Sequence, residues 1–223
     1  MDESELIRSI HEALASAPGE VPFPLDIQLC ALGLHTDESR AALRDKRVLD
    51  IGCGRDATLV RFLRAEGIDA EGIDKYGPNE PYVIRGCLRA VYPGDGCIPR
   101  DDGTYDVVLT NSFPLIDQAF SLPIKGQGVI APRSALKESV SPEEFVQGYI
   151  CLSETLRVLR PGGRYVNHSH RGLPELHSRF SQELKGFRCE EEPVEWPDDQ
   201  DPVLDLAPGL RVPLSKLTII YKD

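Results

Sequence analysis

The densest concentration of chemistry in the chain lies in Asp50, Gly52, Cys53, Gly54 and Asp74. Two glycines one residue apart let the backbone bend tightly and leave main-chain atoms open to a ligand, because no side chain stands in the way. A helix starting directly after such a bend adds unsatisfied N–H groups and the positive end of its dipole. Asp74 follows Gly54 by twenty residues, the spacing at which a carboxylate meets the ribose hydroxyls of a bound nucleoside. Asp50, two positions before the first glycine, would repel a pyrophosphate and suits a ligand with cationic groups. Further on, Asn111 ends one apolar run, while His168 and His170 end another. Imidazoles titrate near neutrality and can take a proton from an acceptor. The H-x-H spacing could also hold a metal with Asp117 or His177, although no obvious third ligand is supplied.

The elements that must position these residues follow from periodicity. Residues 47–51 predict a buried strand, 57–66 a helix stopped by Gly67, and 70–74 a second strand, together one right-handed βαβ unit. Tyr82–Ile84 fits a third strand and Tyr105–Thr110 a fourth. Ser141-Pro142-Glu143-Glu144 starts a helix with a capping box. Its face Phe145, Tyr149, Leu152, Leu156 and Leu159 has the spacing of a core-packed helix. A fifth strand covers Arg164–Asn167, another 187–194, and Lys216–Tyr221 closes the sheet with an antiparallel finish. Upstream, helices are predicted over residues 3–16, Leu25–Leu32 (stopped by Gly33) and Asp37–Leu43, with Thr36 or Asp37 as cap. Residues 115–140 lack periodicity and fit a substrate lid. The acidic, proline-broken run over 190–205 reads as a solvated loop.

The string Val48-Leu49-Asp50-Ile51-Gly52-Cys53-Gly54 resembles the first motif of the class I S-adenosylmethionine-dependent methyltransferases. Gly72-Ile73-Asp74 resembles that family's ribose-binding strand end. Asp102-Gly103-Thr104-Tyr105-Asp106-Val107-Val108-Leu109 is similar to its fourth strand, and Leu156 to Val166, with Pro161-Gly162-Gly163, to its helix–turn–fifth strand. The resemblance spans residues 47–167. It implies an α/β, Rossmann-like fold with a mostly parallel seven-stranded sheet, helices on both faces and extra N-terminal helices. One domain over residues 1–223 is expected, with residues 1–45 covering the site and 46–223 forming the core.

The cofactor implied is S-adenosyl-L-methionine, held by Asp50, Gly52, Cys53, Gly54, Asp74, Lys75, Asp95 and Asn111. For the adenine contact the chain offers Cys87 or Asp95, and Asp95 reads equally as an ordinary turn aspartate. His168, His170 and Asn111 are the expected catalytic residues, acting on a small-molecule acceptor at oxygen or nitrogen. The family's glycine at position 56 is replaced here by Asp56, read first as an N-cap for the following helix, with a carboxylate close to the ligand's ammonium or a damaged site as the other readings. The alternatives are a non-methylating or non-catalytic partner protein of the same fold, and a nicotinamide-dependent oxidoreductase. Asp50 and the Pro-Gly-Gly turn speak against the second of these.

Bulk properties narrow the partners. A net charge of −11 over 223 residues argues against a phosphate-backbone partner. The six cysteines show neither a C-x-x-C pair nor zinc spacing and read as small buried side chains in a reducing cytoplasm. No apolar run reaches the roughly 18–20 residues that span a bilayer, and the Met-Asp-Glu-Ser-Glu start lacks a signal peptide's basic and apolar regions. A cytoplasmic protein without membrane partners is expected.

Overall fold

Two strands rich in branched apolar residues, β1 (Arg47–Ile51) and β4 (Tyr105–Asn111), lie side by side in parallel at the centre of the sheet. Their side chains are buried on both faces, as happens when helices cover a parallel sheet from each side. The computed structural model describes residues 25–86, 98–111, 151–168, 186–194, 203–207, 210–213 and 216–223. Around the central pair stand β2 (Asp69–Asp74), β3 (Val83–Arg85), β5 (Leu159–His168), β6 (Phe187–Pro193) and β9 (Lys216–Lys222). The seven-stranded order is β3-β2-β1-β4-β5-β9-β6, with β9 antiparallel to both of its neighbours. This is the mostly parallel, Rossmann-like sheet that the sequence resemblance implies. Strand order reverses between β1 and β4, the switch point where such sheets open a crevice beyond their carboxyl ends.

Helix α1 (Leu25–Ala31) ends at Gly33, whose φ of 66° no side chain would favour. Helix α2 (Asp37–Ala41) starts at Thr36, whose hydroxyl accepts from the Ser39 N–H at 3.1 Å; of the two cap candidates, Thr36 is the one used. Helix α3 (Thr58–Ala65) packs Leu59, Val60 and Leu63 on one face of the sheet, against Val48, Ala70 and Leu109. On the other face a helix over residues 151–158, α4, brings Cys151, Leu152 and Leu156 against Leu49, Ile51, Val108 and Tyr165. Lys222 reaches from β9 to the end of α4, donating to the carbonyls of Leu156 at 3.0 Å and Leu159 at 2.6 Å. A cation there also complements the helix dipole.

Strand β5 is longer than the sequence suggests. Leu159 pairs with Tyr105 and Arg164 with Val107, so residues 160–163 form an excursion inside the strand rather than a turn before it. Gly162 supplies its positive φ of 74°. A Cβ on Gly163 would lie 2.8 Å from the Asp106 carbonyl and 2.9 Å from that of Arg160, which is why the backbones can close only over glycine.

The acidic run needs correcting as well. Glu190, Glu191 and Glu192 fall in β6, the strand expected over 187–194, whereas Asp205 lies in β7 (Val203–Ala207), which pairs antiparallel with β8 (Leu210–Pro213) as a separate hairpin. Leu204 and Leu206, and Leu210 and Val212, alternate along the two strands and carry enough strand preference to override the loop signal of the nearby acids and prolines. The helix over 3–16, the lid over 115–140 and the capping box at 141–144 lie outside the described residues.

Candidate active site

The glycine turn is fastened to β2 at three points. Gly52 and Cys53 donate their N–H groups to the Ile73 carbonyl at 2.8 and 3.4 Å, and Gly54 donates to Asp74 Oδ2 at 3.1 Å. Gly52 and Gly54 sit at φ of 78° and 73°, and a Cβ on Gly54 would meet nothing within 4 Å. The turn therefore presents open space beside bare backbone, as the sequence requires of a ligand cradle. Asp74 also accepts from the Tyr76 N–H, at 2.6 Å through Oδ1. Its carboxylate binds both the turn and the next loop, with lone pairs remaining for a ligand's hydroxyls.

Asp56 does not cap α3. The N-cap is Ala57, held in the left-handed region at φ 46° and ψ 43° with no side-chain hydrogen bond, while Asp56 lies exposed one residue earlier. By bending at Ala57 the chain starts the helix at Thr58, out of register for capping by Asp56. The N–H groups of the first turn of α3 thus have no side-chain cap competing for them.

Asp50 lies on the α3 face of the sheet, level with Gly72 of β2 and Leu109 of β4. It is 3% exposed. Burial, reinforced by the Asp74 carboxylate, pushes its carboxyl up to about 7. Sequence reasoning missed the importance of Gly72. A Cβ there would fall 2.7 Å from Cys53 Sγ and 3.0 Å from Val60, so Gly72 is what lets the turn and α3 close over β2. A glycine inside a strand was the available signal. Tyr76, 48% exposed, stands beside the turn with Arg55 5.6 Å and Lys75 4.7 Å from its ring centre. Lys75 is thereby placed against an aromatic face beside the crevice.

At the switch point, Asn111 and His168 are register partners on β4 and β5. His168 is completely buried, and its Nδ1 lies 2.8 Å from Asn111 Oδ1. The sheet thus joins two residues 57 apart in the chain. On the opposite face of the same strand ends, Thr110 Oγ1 contacts the Tyr165 hydroxyl at 2.8 Å and donates to Asn167 Oδ1 at 2.6 Å, a second buried polar set that the sequence did not advertise. His170, Asp95, Asp117 and His177 lie outside the described residues. Among the described residues no group of three His, Cys, Asp or Glu is placed to hold a metal. Cys30 and Cys151 are buried, while Cys53 and Cys189 are half-buried.

The described residues fit a cationic nucleoside: backbone bared at Gly54, a carboxylate at the β2 end, and a buried carboxylate below the turn with no cation beside it. No protein-family model matches the chain, and no curated protein matches it. Among solved structures it is similar to a 1,6-didemethyltoxoflavin-N1-methyltransferase from Burkholderia thailandensis with 1,6-didemethyltoxoflavin and S-adenosylhomocysteine bound (14% identity, 99% of this chain and 86% of that one, TM-score 0.47). It is also similar to a SAM-dependent methyltransferase from Archaeoglobus fulgidus (17% identity, 84% and 94% covered, TM-score 0.43) and to the antibiotic-resistance methyltransferase Kmr (18% identity, 83% and 90% covered, TM-score 0.44). At such identities the chemistry has to be read from this chain's own residues.

Proposed function

We propose that the chain is an S-adenosylmethionine-dependent methyltransferase that modifies a small-molecule acceptor at oxygen or nitrogen. The observation that carries this reading is Asp50, a buried carboxyl just below a bare glycine turn at the switch point, whose ionised form a ligand ammonium would stabilise and a phosphate would not. Asp50 faces the ammonium end of the ligand and Asp74 its ribose. Gly52, Cys53 and Gly54 allow close approach, and Lys75 lies at the rim. When bound, S-adenosylmethionine supplies an electrophilic methyl group.

The rest of the work falls to the chain's own side chains. Methyl transfer is an in-line displacement, so holding the acceptor in line contributes most. A hydroxyl acceptor must also lose its proton. Asn111 fixes the His168 ring through Nδ1, and with the proton on that nitrogen the Nε2 lone pair is the basic one. His168 is therefore the proposed base and Asn111 its positioning residue. The low share of basic residues and the net charge of −11 favour a small acceptor over nucleic acid.

Calorimetry with S-adenosylmethionine, S-adenosylhomocysteine and NAD, followed by a methyl-transfer screen over small hydroxyl and amine compounds, tests the reading. The adenosyl compounds should bind and NAD should not; tight binding of NAD alone overturns it. With an acceptor in hand, His168→Ala should lower turnover about 10²–10⁴-fold, the usual contribution of a positioned base, with cofactor affinity nearly intact. A second reading, a cofactor-binding partner protein without turnover, is favoured by Asp56, an exposed carboxylate left on the turn without a capping role. Cofactor binding without transfer to any acceptor would support it.

A further inference from the structure

Asp50 is a carboxylate enclosed without compensation. It is 97% buried (3% exposed), and among the described residues no hydrogen bond or cation acts on it; the charge it feels is that of Asp74, of the same sign. The elements around it offer no relief. Strand β2 presents Gly72 beside it and Asp74 two residues on, and β4 presents Leu109 and then the neutral Asn111. From β5 comes His168, engaged with Asn111. The cation of α3 at this end, Arg61, is paired with Glu80. Arg55 on the turn and Lys75 after β2 lie against the Tyr76 ring, and Asp56 adds only further negative charge.

An isolated buried charge is costly, and a carboxyl so placed keeps its proton instead. The described residues therefore leave the site electrically incomplete until a cation arrives. We propose that the cationic group of the ligand enters in exchange for a proton held by Asp50, so that loading of the site is linked to pH. The inference rests on the reading of the crevice as an S-adenosylmethionine site. The exchange balances simply: neutral Asp50 releases its proton to solvent, and the ammonium of the ligand takes its place as partner of the carboxylate. Burial and the Asp74 charge hold the Asp50 carboxyl at about 7 before binding. The sign follows. Below pH 7 the ligand must expel a proton, and above it the carboxylate is already ionised, so affinity climbs with pH and then levels.

The test is calorimetric titration with S-adenosylhomocysteine between pH 6 and 8.5, in buffers of different ionisation heat. A single group titrating near 7 makes binding roughly tenfold tighter at pH 8 than at pH 6, with about half a proton released at pH 7. Adenosine, which lacks the amino-acid tail, should bind with no such slope. Asp50→Asn should bind S-adenosylhomocysteine more weakly at pH 8 and flatten the profile, whereas Glu71→Gln, elsewhere on β2, should keep it. Measurable binding with a flat wild-type profile, an equal slope for adenosine, or a slope that survives in Asp50→Asn or vanishes in Glu71→Gln would each overturn the inference while leaving the function standing. Absence of adenosyl binding at every pH would instead overturn the site reading itself. If the Asn variant does not fold, the proton count on the wild-type protein decides.

Discussion

The two ends of the sheet treat charge in opposite ways. At the amino ends of the strands, acids and bases meet. Glu71 Oε2 accepts from the Tyr105 hydroxyl at 2.6 Å and from Arg100 Nε at 3.0 Å, while its other oxygen lies 3.3 Å from Arg47. Asp106 accepts from the Arg47 N–H at 2.9 Å and pairs with Arg160. Burial alone would push the Glu71 carboxyl up, but the Tyr105 hydroxyl and the two guanidiniums outweigh it and hold it below the usual range. At the carboxyl ends, Asp50 is buried near Asp74, and among the described residues no cation compensates either its burial or their like charge. The first arrangement is complete in itself and holds strands together. The second leaves a carboxyl uncompensated among the described residues, and that contrast is what the proposed ligand site rests on.

Neutralising the charge at each end should therefore act in opposite directions. The largest effect is expected from Asp50→Asn. A carboxyl whose folded value lies near 7, above its ordinary 3.8, holds its proton more tightly in the folded state. Its presence thus lowers stability as pH rises from about 4 to 7. The amide should raise stability at pH 8 by up to about 4 kcal/mol, with the gain fading towards pH 4. Thermal melts across that range read it, and a destabilised variant at pH 8 would erase the distinction between the two ends.

Next comes Asp74→Ala, expected to weaken adenosyl-ligand binding by about 1.5–3 kcal/mol, the range for hydrogen bonds to a charged group. Wild-type affinity would remove Asp74 from the ligand's contacts, leaving only its bonds to Gly54 and Tyr76. The smallest change is Glu71→Gln, which should cost about 1–2 kcal/mol of stability at pH 7 without altering ligand affinity. With its folded value depressed, Glu71 stabilises above its unfolded value and loses that contribution as pH falls through the folded one. The variant and the parent should consequently converge in acid. A change in ligand affinity would show that the two ends are not independent.

How much of this was legible beforehand depends on the range of the interaction. The turn at 52–54, α3 and β2 are local, set by glycine placement and period, and they were placed within a residue or so of where they lie. Adjacency across the sheet is not local. That Asn111 meets His168 depends on the register of β4 and β5, which no short window of sequence encodes. Local chemistry misled at Asp56, a good cap residue, because the strained conformation at Ala57 shifted the helix start beyond its reach. In the acidic run, charge masked the strand alternation of β7 and β8. The excursion in β5 hid for another reason: Pro161-Gly162 looks like the end of an element, yet the strand resumes after it.

Among the described residues the two margins of the sheet differ in length and composition. One is β3, only three residues long. The other is β6, seven residues with three consecutive glutamates and a terminal proline, Glu190 to Pro193. An unpaired strand of that length is a template on which a second chain can zip itself by main-chain hydrogen bonds. Like charges repel an approaching copy, and proline withholds a donor at the rim. Among the described residues β6 is such an edge, and successive glutamates with a closing proline are residue types that disfavour the addition of a second chain.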